Sequence, residues 1–190
     1  MKLDWDWNHP ALRAVFALDR PCVIGIEGRC GSGKTSLADE LAARLPCRVI
    51  HADDYYLPPA QRIPDWQHIP AANMDLERLR REVLASAARG EAVTVRAYRC
   101  ADGDYAEPAV LAPAPVTIVE GSYSCHPALE RYYDMTLFIT CSSAVQAARI
   151  RAREGERANA FFERWIPLEE AYFQQTALPG RCGFVLDTSR

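Results

Sequence analysis

The sequence has 190 residues, of which 25% are charged and 49% hydrophobic, and its formal net charge is −3. That length holds one α/β domain with a sizeable core. The weakly acidic balance excludes a broad nucleic-acid or lipid-binding surface, and no apolar run is long enough to span a membrane.

The N-terminal stretch carries Asp4 and Asp6 and has no signal-peptide core, so a cytoplasmic chain is expected. Trp5 and Trp7 are expected to pack either on the domain or on a partner subunit. Cys22-Val23-Ile24-Gly25-Ile26-Glu27 is a short apolar run that reads as a buried strand. Gly28-Arg29-Cys30-Gly31-Ser32-Gly33-Lys34-Thr35 follows it and matches G-x-x-x-x-G-K-[ST], the phosphate-binding P-loop. Residues 36–45 then read as a helix with an apolar face at Leu37, Leu41 and Leu45. Strand, glycine loop and helix form the arrangement that the motif requires. Glycines let backbone N–H groups face an anion, and the helix N-terminus adds partial positive charge. The expected nucleotide contacts are therefore Gly28, Arg29, Cys30, Gly31, Ser32, Gly33, Lys34, Thr35 and Ser36. Lys34 is the mobile charge for the β- and γ-phosphates, and the Thr35 hydroxyl is a magnesium ligand.

Residues 48–52 read as a second strand, and Asp53-Asp54 leave its end. Pro58, Pro59, Pro64 and Pro70 make the next stretch irregular. A helix is expected over 75–89, stopped by Gly90, and a strand over 92–98. Residues 116–119 form a buried strand ending in Glu120-Gly121, and 135–140 another. Ser142 or Ser143 caps a helix running to about Arg153; a further helical stretch covers 159–176 with a break near Pro167; 183–186 is the last strand. Strands alternating with helices imply a parallel sheet covered on both faces, with its site at the carboxyl ends of the strands. That rule brings together the P-loop, Asp53-Asp54 and Glu120.

Asp53 is placed to take a proton from a substrate hydroxyl, while a turn or helix cap is the structural alternative, and the one that weighs more for Asp54. Glu120 stands where a carboxylate can hold a magnesium shell. Arg149, Arg151, Arg153 and Arg157 form either a lid over a triphosphate, with Arg149 and Arg153 as its phosphate contacts, or a solvated helix face balanced by Glu154 and Glu156. The seven cysteines are odd in number and lack a C-x-x-C pair, which argues against a disulfide framework or zinc site. Most read as small buried hydrophobes. Cys30 differs, because it lies within the phosphate loop: either Lys34 and a helix N-terminus lower its pKa, or it is a tolerated variable loop position, the reading that weighs more.

With these residues assembled, the chain resembles the uridine kinase family, a relative of phosphoribulokinase. The resemblance rests on the P-loop, on His51-Ala52-Asp53-Asp54-Tyr55-Tyr56, on Val119-Glu120-Gly121-Ser122-Tyr123, and on Tyr133-Asp134 with the arginines from Arg149. It implies a P-loop NTPase three-layer sandwich with a short arginine-rich lid over about 149–160 and an acceptor-binding insertion over about 54–115, all in one domain of residues 1–190. It implies an ATP-dependent phosphotransferase using Mg2+, with a small-molecule alcohol, a nucleoside such as uridine or cytidine, as acceptor. Asp53 would be the base for the sugar 5′-hydroxyl, and Lys34 would be catalytic beside it. Tyr98 fits the family's pyrimidine-reading tyrosine, without the histidine that follows it there. Asp54, Tyr56, Asp65 and Asp75 are the remaining substrate-binding candidates. Other acceptors (a sugar, a vitamin-like alcohol, nicotinamide riboside) and a non-catalytic nucleotide-binding regulator are the competing readings. No nucleic-acid or membrane partner is expected; a homo-oligomer is left open.

Overall fold

The computed structural model describes residues 3–189. Its centre is a parallel sheet. β1 (Cys22–Gly28) is flanked by β7 (Val116–Glu120) and β8 (Met135–Thr140), with β2 (Cys47–His51) and β9 (Phe184–Asp187) at the edges, in the order β2-β7-β1-β8-β9. Buried on both faces, such strands read as continuous apolar runs. β1 shows why: Val23 joins a cluster with Tyr55, Leu79, Phe138 and Tyr172 on one face. Ile24 and Ile26 join Leu12, Leu37, Ile118 and Leu137 on the other. The remaining short strands, β3 (Val93–Val95) with β6 (Ala109–Leu111) and β4 (Tyr98–Arg99) with β5 (Asp104–Tyr105), form antiparallel pairs outside the sheet.

Two helices open the layers. α1 (Pro10–Ala17), absent from the sequence expectations, has proline at its first position and His9 as its cap. Trp5 is buried in the core that α1 helps to close, and Trp7 meets Phe16 edge-on and lies 4.0 Å from the Arg44 guanidinium. Both tryptophans thus pack on the domain. α2 (Lys34–Ala42) starts two residues earlier than the expected 36–45 and gives up its last turn, because the chain must reverse into β2 at Cys47.

The expected 75–89 helix is α3 (Leu76–Leu79), a π-helical turn (Arg80–Leu84) and α4 (Ala85–Ala87) in succession. Asp75 is its N-cap: the carboxylate accepts from the Arg78 N–H at 2.9 Å. Buried Arg78 then donates to the Arg96 and Asp54 carbonyls at 2.6 and 2.8 Å. The first of those bonds lies between β3 and β4, where the single expected strand over 92–98 is interrupted.

α5 (Ser143–Glu154) begins at the Ser142 cap. α6 (Ala158–Ala160), a π-turn (Phe161–Trp165) and α7 (Ile166–Thr176) follow. Pro167 sits in the first turn of α7, where its missing N–H is tolerated, so a widened turn replaces the expected break. Among the described residues no helix is long and apolar enough to cross a membrane.

Candidate active site

The site grows from the carboxyl edge of β1. At Gly28, φ is +138°, and a Cβ would lie 1.9 Å from the Ile139 carbonyl oxygen, so only glycine lets the chain turn off the sheet there. Gly33, at φ +108°, caps α2 without a side chain and turns the loop into the helix. Lys34 lies back along the loop, its Nζ donating to the Gly28 and Arg29 carbonyls at 2.6 and 3.2 Å.

Strand register brings in the acids. Glu120 pairs with Ile26 of β1 on one side and His51 of β2 on the other. The Glu120 carboxylate is buried and accepts from the Thr35 hydroxyl at 3.1 and 3.2 Å. His51 Nδ1 is 2.6 Å from Glu120 Oε1, and that bond holds the imidazole above its usual range against the opposing effect of burial. One 3₁₀ turn after β2, Asp53 reaches the same edge. A Cβ on Gly121 would meet Asp53 Oδ1 at 3.5 Å, and Tyr56 donates to that oxygen at 3.2 Å. Burial raises the Asp53 carboxyl pKa, while Lys34 pulls it down.

A cavity of about 990 Å³ is lined by Lys34, Thr35 and Ser36 of the P-loop and α2, by Glu120, by Arg149 and Arg153 of α5, and by Asp53. The segment after Asp53 adds Tyr56, Arg62, Trp66, Asn73, Tyr98 and Cys100 to the lining. Trp66 and Trp165 both line it, 6.4 Å apart between ring centroids, with the Arg164 guanidinium 4.5 and 4.4 Å from the two rings.

Other expected residues lie elsewhere. Asp54 contributes its backbone carbonyl to Arg78, Asp75 caps α3, and Asp65 lies exposed at the start of a 3₁₀ turn; none of their side chains lines the cavity. Arg149 lines the cavity and also braces the P-loop. It donates to the Gly31 and Ser32 carbonyls at 3.3 Å each and to Thr188 at 2.7 and 2.8 Å. Arg153 faces the cavity and pairs with Glu154 at 2.7 Å. Cys30 does not have the lowered pKa that its place in the loop allowed: the thiol is buried, and burial first, then Glu169, pushes its pKa up, outweighing Lys34. At pH 8 Cys30 should therefore react with iodoacetamide at least about tenfold more slowly than exposed Cys100, read by mass spectrometry of digested protein.

The residues that hold the loop come from the stretch 165–173. Glu169, buried, accepts from the Cys30 N–H at 2.9 Å and the Ser122 hydroxyl at 2.7 Å, joining the P-loop to the segment after β7. Glu170 takes Arg29 in a paired contact at 2.6 and 2.9 Å, which turns Arg29 away from the cavity. Fully buried Glu27 accepts from the Tyr123 and Cys125 N–H groups and the Tyr172 hydroxyl; burial raises its pKa to about 7 against those bonds.

The AAA domain family profile (AAA_18) matches residues 24–164. The chain belongs to that family. It is also similar to uridine-cytidine kinase C of Dictyostelium discoideum, 27% identical over 137 residues, which are 68% of this chain and 30% of that relative. The chain thus spans under a third of the relative's length. Among solved structures it is similar to a possible uridine kinase from Bacillus stearothermophilus, with TM-score 0.72 and 19% identity over 92% of this chain and 94% of the other. It is also similar to a protein provisionally assigned as a fructose transport system kinase from Silicibacter sp. TM1040, with TM-score 0.75 and 19% identity over 96% and 99%. The structural likenesses establish the P-loop kinase type of fold, and the resemblance to uridine kinases read from the sequence is borne out.

Proposed function

We propose that this protein is an ATP-dependent phosphotransferase that moves the γ-phosphate to an alcohol group of a small acceptor. The observation that carries the reading is Asp53, a carboxylate open to the same cavity that Lys34 lines and beside Gly121. Nucleotide binding alone needs no such base, which weighs against a non-catalytic regulator. The residues also fit a divalent cation: a buried carboxylate, Glu120, lies in hydrogen-bond contact with the Thr35 hydroxyl, and both offer hard oxygen donors. Those two would hold Mg2+, which when bound draws charge from the phosphate oxygens.

The chain's own groups then divide the work. Backbone N–H groups of the P-loop hold the phosphates at the α2 N-terminus. Lys34 exchanges its loop carbonyls for the phosphate oxygens, and Arg153 adds charge from α5. Asp53 takes the acceptor proton as the new O–P bond forms. In this reading the segment 54–115 is the acceptor-binding insertion, and about 149–160 moves as a lid that excludes water. The name of the Dictyostelium relative makes a nucleoside 5′-hydroxyl the first acceptor to test. Acceptor-dependent ADP formation with Mg-ATP is the measurement. Turnover that requires an added alcohol supports the reading. A protein that binds ATP, forms no ADP with any alcohol and is indifferent to Asp53→Asn is instead the regulator.

A further inference from the structure

The segment after Asp53 brings to the cavity polar groups that the phosphotransfer chemistry leaves unused. Arg62 is the first. Its Nε donates to the Leu57 carbonyl at 2.8 Å, and its guanidinium lies 4.5 Å from the Trp66 ring, which together fix its plane. Its Nη groups make no hydrogen bond and no ion pair among the described residues. The two other arginines that line the cavity are engaged: Arg149 with loop carbonyls and Thr188, Arg153 with Glu154.

Asn73 is the second group and an independent one. Only 3% of it is exposed, it lines the same cavity, and its side-chain Oδ1 is buried without a hydrogen-bond partner. Its backbone is held by the Leu57 N–H, so Leu57 positions both Asn73 and Arg62. A buried amide oxygen without a donor costs about 1–3 kcal/mol, a cost that a hydroxyl-bearing ligand removes. Among the lining residues of the segment 53–100, Asp53 and Arg62 are the charged ones, beside Tyr56, Pro59, Trp66, Asn73, Tyr98 and Cys100. That segment thus presents an oriented cation and a hydrogen-bonding amide. Trp66 already carries the Arg62 and Arg164 guanidinium groups, and Tyr98 packs edge-on against Tyr105 at 5.5 Å, which leaves less ring surface for a base.

We infer that the acceptor is a polyhydroxylated anion, a small alcohol bearing a carboxylate or phosphate group. Arg62 binds the anionic group, Asn73 binds a non-reacting hydroxyl, and the reacting hydroxyl faces Asp53. This rests on the phosphotransferase reading and narrows its acceptor away from a neutral nucleoside. Arg62 presents a planar fork that suits either kind of anion. Glycerate tests the carboxylate; glycerol 3-phosphate and ribose 5-phosphate test the phosphate. Glycerol, ribose and uridine are the neutral counterparts.

The experiment measures ADP formation with each probe on the full chain, with Arg62→Gln, Arg62→Lys and Asn73→Ala alongside. Retention of the Mg-ATP thermal shift checks that each variant is folded. At least one anionic probe should be turned over in preference to its neutral counterpart. Arg62→Gln should raise KM for that probe roughly ten- to a hundredfold with a much smaller change in kcat, and Arg62→Lys should restore part of the loss. Asn73→Ala should also raise that KM. Uridine turned over as well as the anions, or KM values indifferent to Arg62→Gln, would overturn the inference and leave the kinase reading standing. A protein that turns over neutral alcohols alone would do the same. Absence of ADP formation with every probe would overturn the inference; if Asp53→Asn also leaves every measured property unchanged, the phosphotransferase reading falls with it.

Discussion

Asp53→Asn should lower kcat for acceptor phosphorylation by about 10²–10⁴-fold while leaving Mg-ATP affinity within a few-fold. The substitution keeps the shape of the side chain, and the amide oxygen can still accept from Tyr56, which donates to Asp53 Oδ1 at 3.2 Å. What is lost is the basicity of the carboxylate, since an amide oxygen accepts a hydrogen bond but does not take the hydroxyl proton. Among the described residues the Asp53 side chain hydrogen-bonds Tyr56 and no P-loop residue, so the damage belongs in kcat rather than in nucleotide affinity. The pH dependence supplies a second reading of the same group. A general base works only when deprotonated, so kcat/KM must fall as pH drops through its pKa. Burial raises that pKa more than Lys34 lowers it. The acid limb should therefore lie above the ordinary aspartate value of about 3.9. Steady-state kinetics across pH, with ATP binding measured separately, checks both. An Asp53→Asn enzyme of near-normal kcat would remove Asp53 from the base position.

The edge that carries the candidate site was legible because its signals are local. The P-loop carries its own spacing, and Asp53 and Glu120 follow apolar runs, so the rule that places sites at strand ends finds them together. Loop support was not legible. Glu169 meets Cys30 across 139 positions of sequence, and Tyr172 meets Glu27 across 145. On a helix of mixed faces these residues look like ordinary amphipathic packing, and nothing in the spacing marks a buried carboxylate aimed at a backbone N–H. Asp75 and Asn73 show a different failure. An acid before an apolar helix satisfies both a cap and a ligand pattern, and capping the free N–H groups of the first turn is the local demand that wins. The polar group left facing the cavity is its neighbour two residues earlier. The bracing role of Arg149 was hidden for a related reason, since helical spacing gives its face but not the carbonyls of Gly31 and Ser32 that wait there.

Glu169→Ala should destabilise the fold by about 2–4 kcal/mol and raise KM for ATP, whereas Glu170→Ala should cost under about 1 kcal/mol. The two carboxylates are neighbours on α7, and both face the P-loop, yet their surroundings differ. Glu169 is 5% exposed and serves a backbone N–H and a hydroxyl that have no other acceptor among the hydrogen bonds described. Truncation leaves the Cys30 N–H buried and unmatched, and it disconnects the loop from the segment that carries Glu120. Glu170 and Arg29 keep side-chain exposures of 34% and 30%, so water replaces much of what their ion pair supplies, and Arg29 retains its bond to the Thr140 hydroxyl. Glu169→Gln preserves shape and an acceptor oxygen, so its loss should fall between wild type and alanine. A double-mutant cycle with Ser122→Ala isolates the bridge itself, with a coupling of about 1 kcal/mol expected for residues in direct contact. Denaturant unfolding gives the stabilities, and ATP kinetics gives the consequence for the loop. Equal losses for Glu169→Ala and Glu170→Ala would mean that burial does not separate them; a lost stability with unchanged KM for ATP would mean that Glu169 holds the fold together without shaping the phosphate cradle.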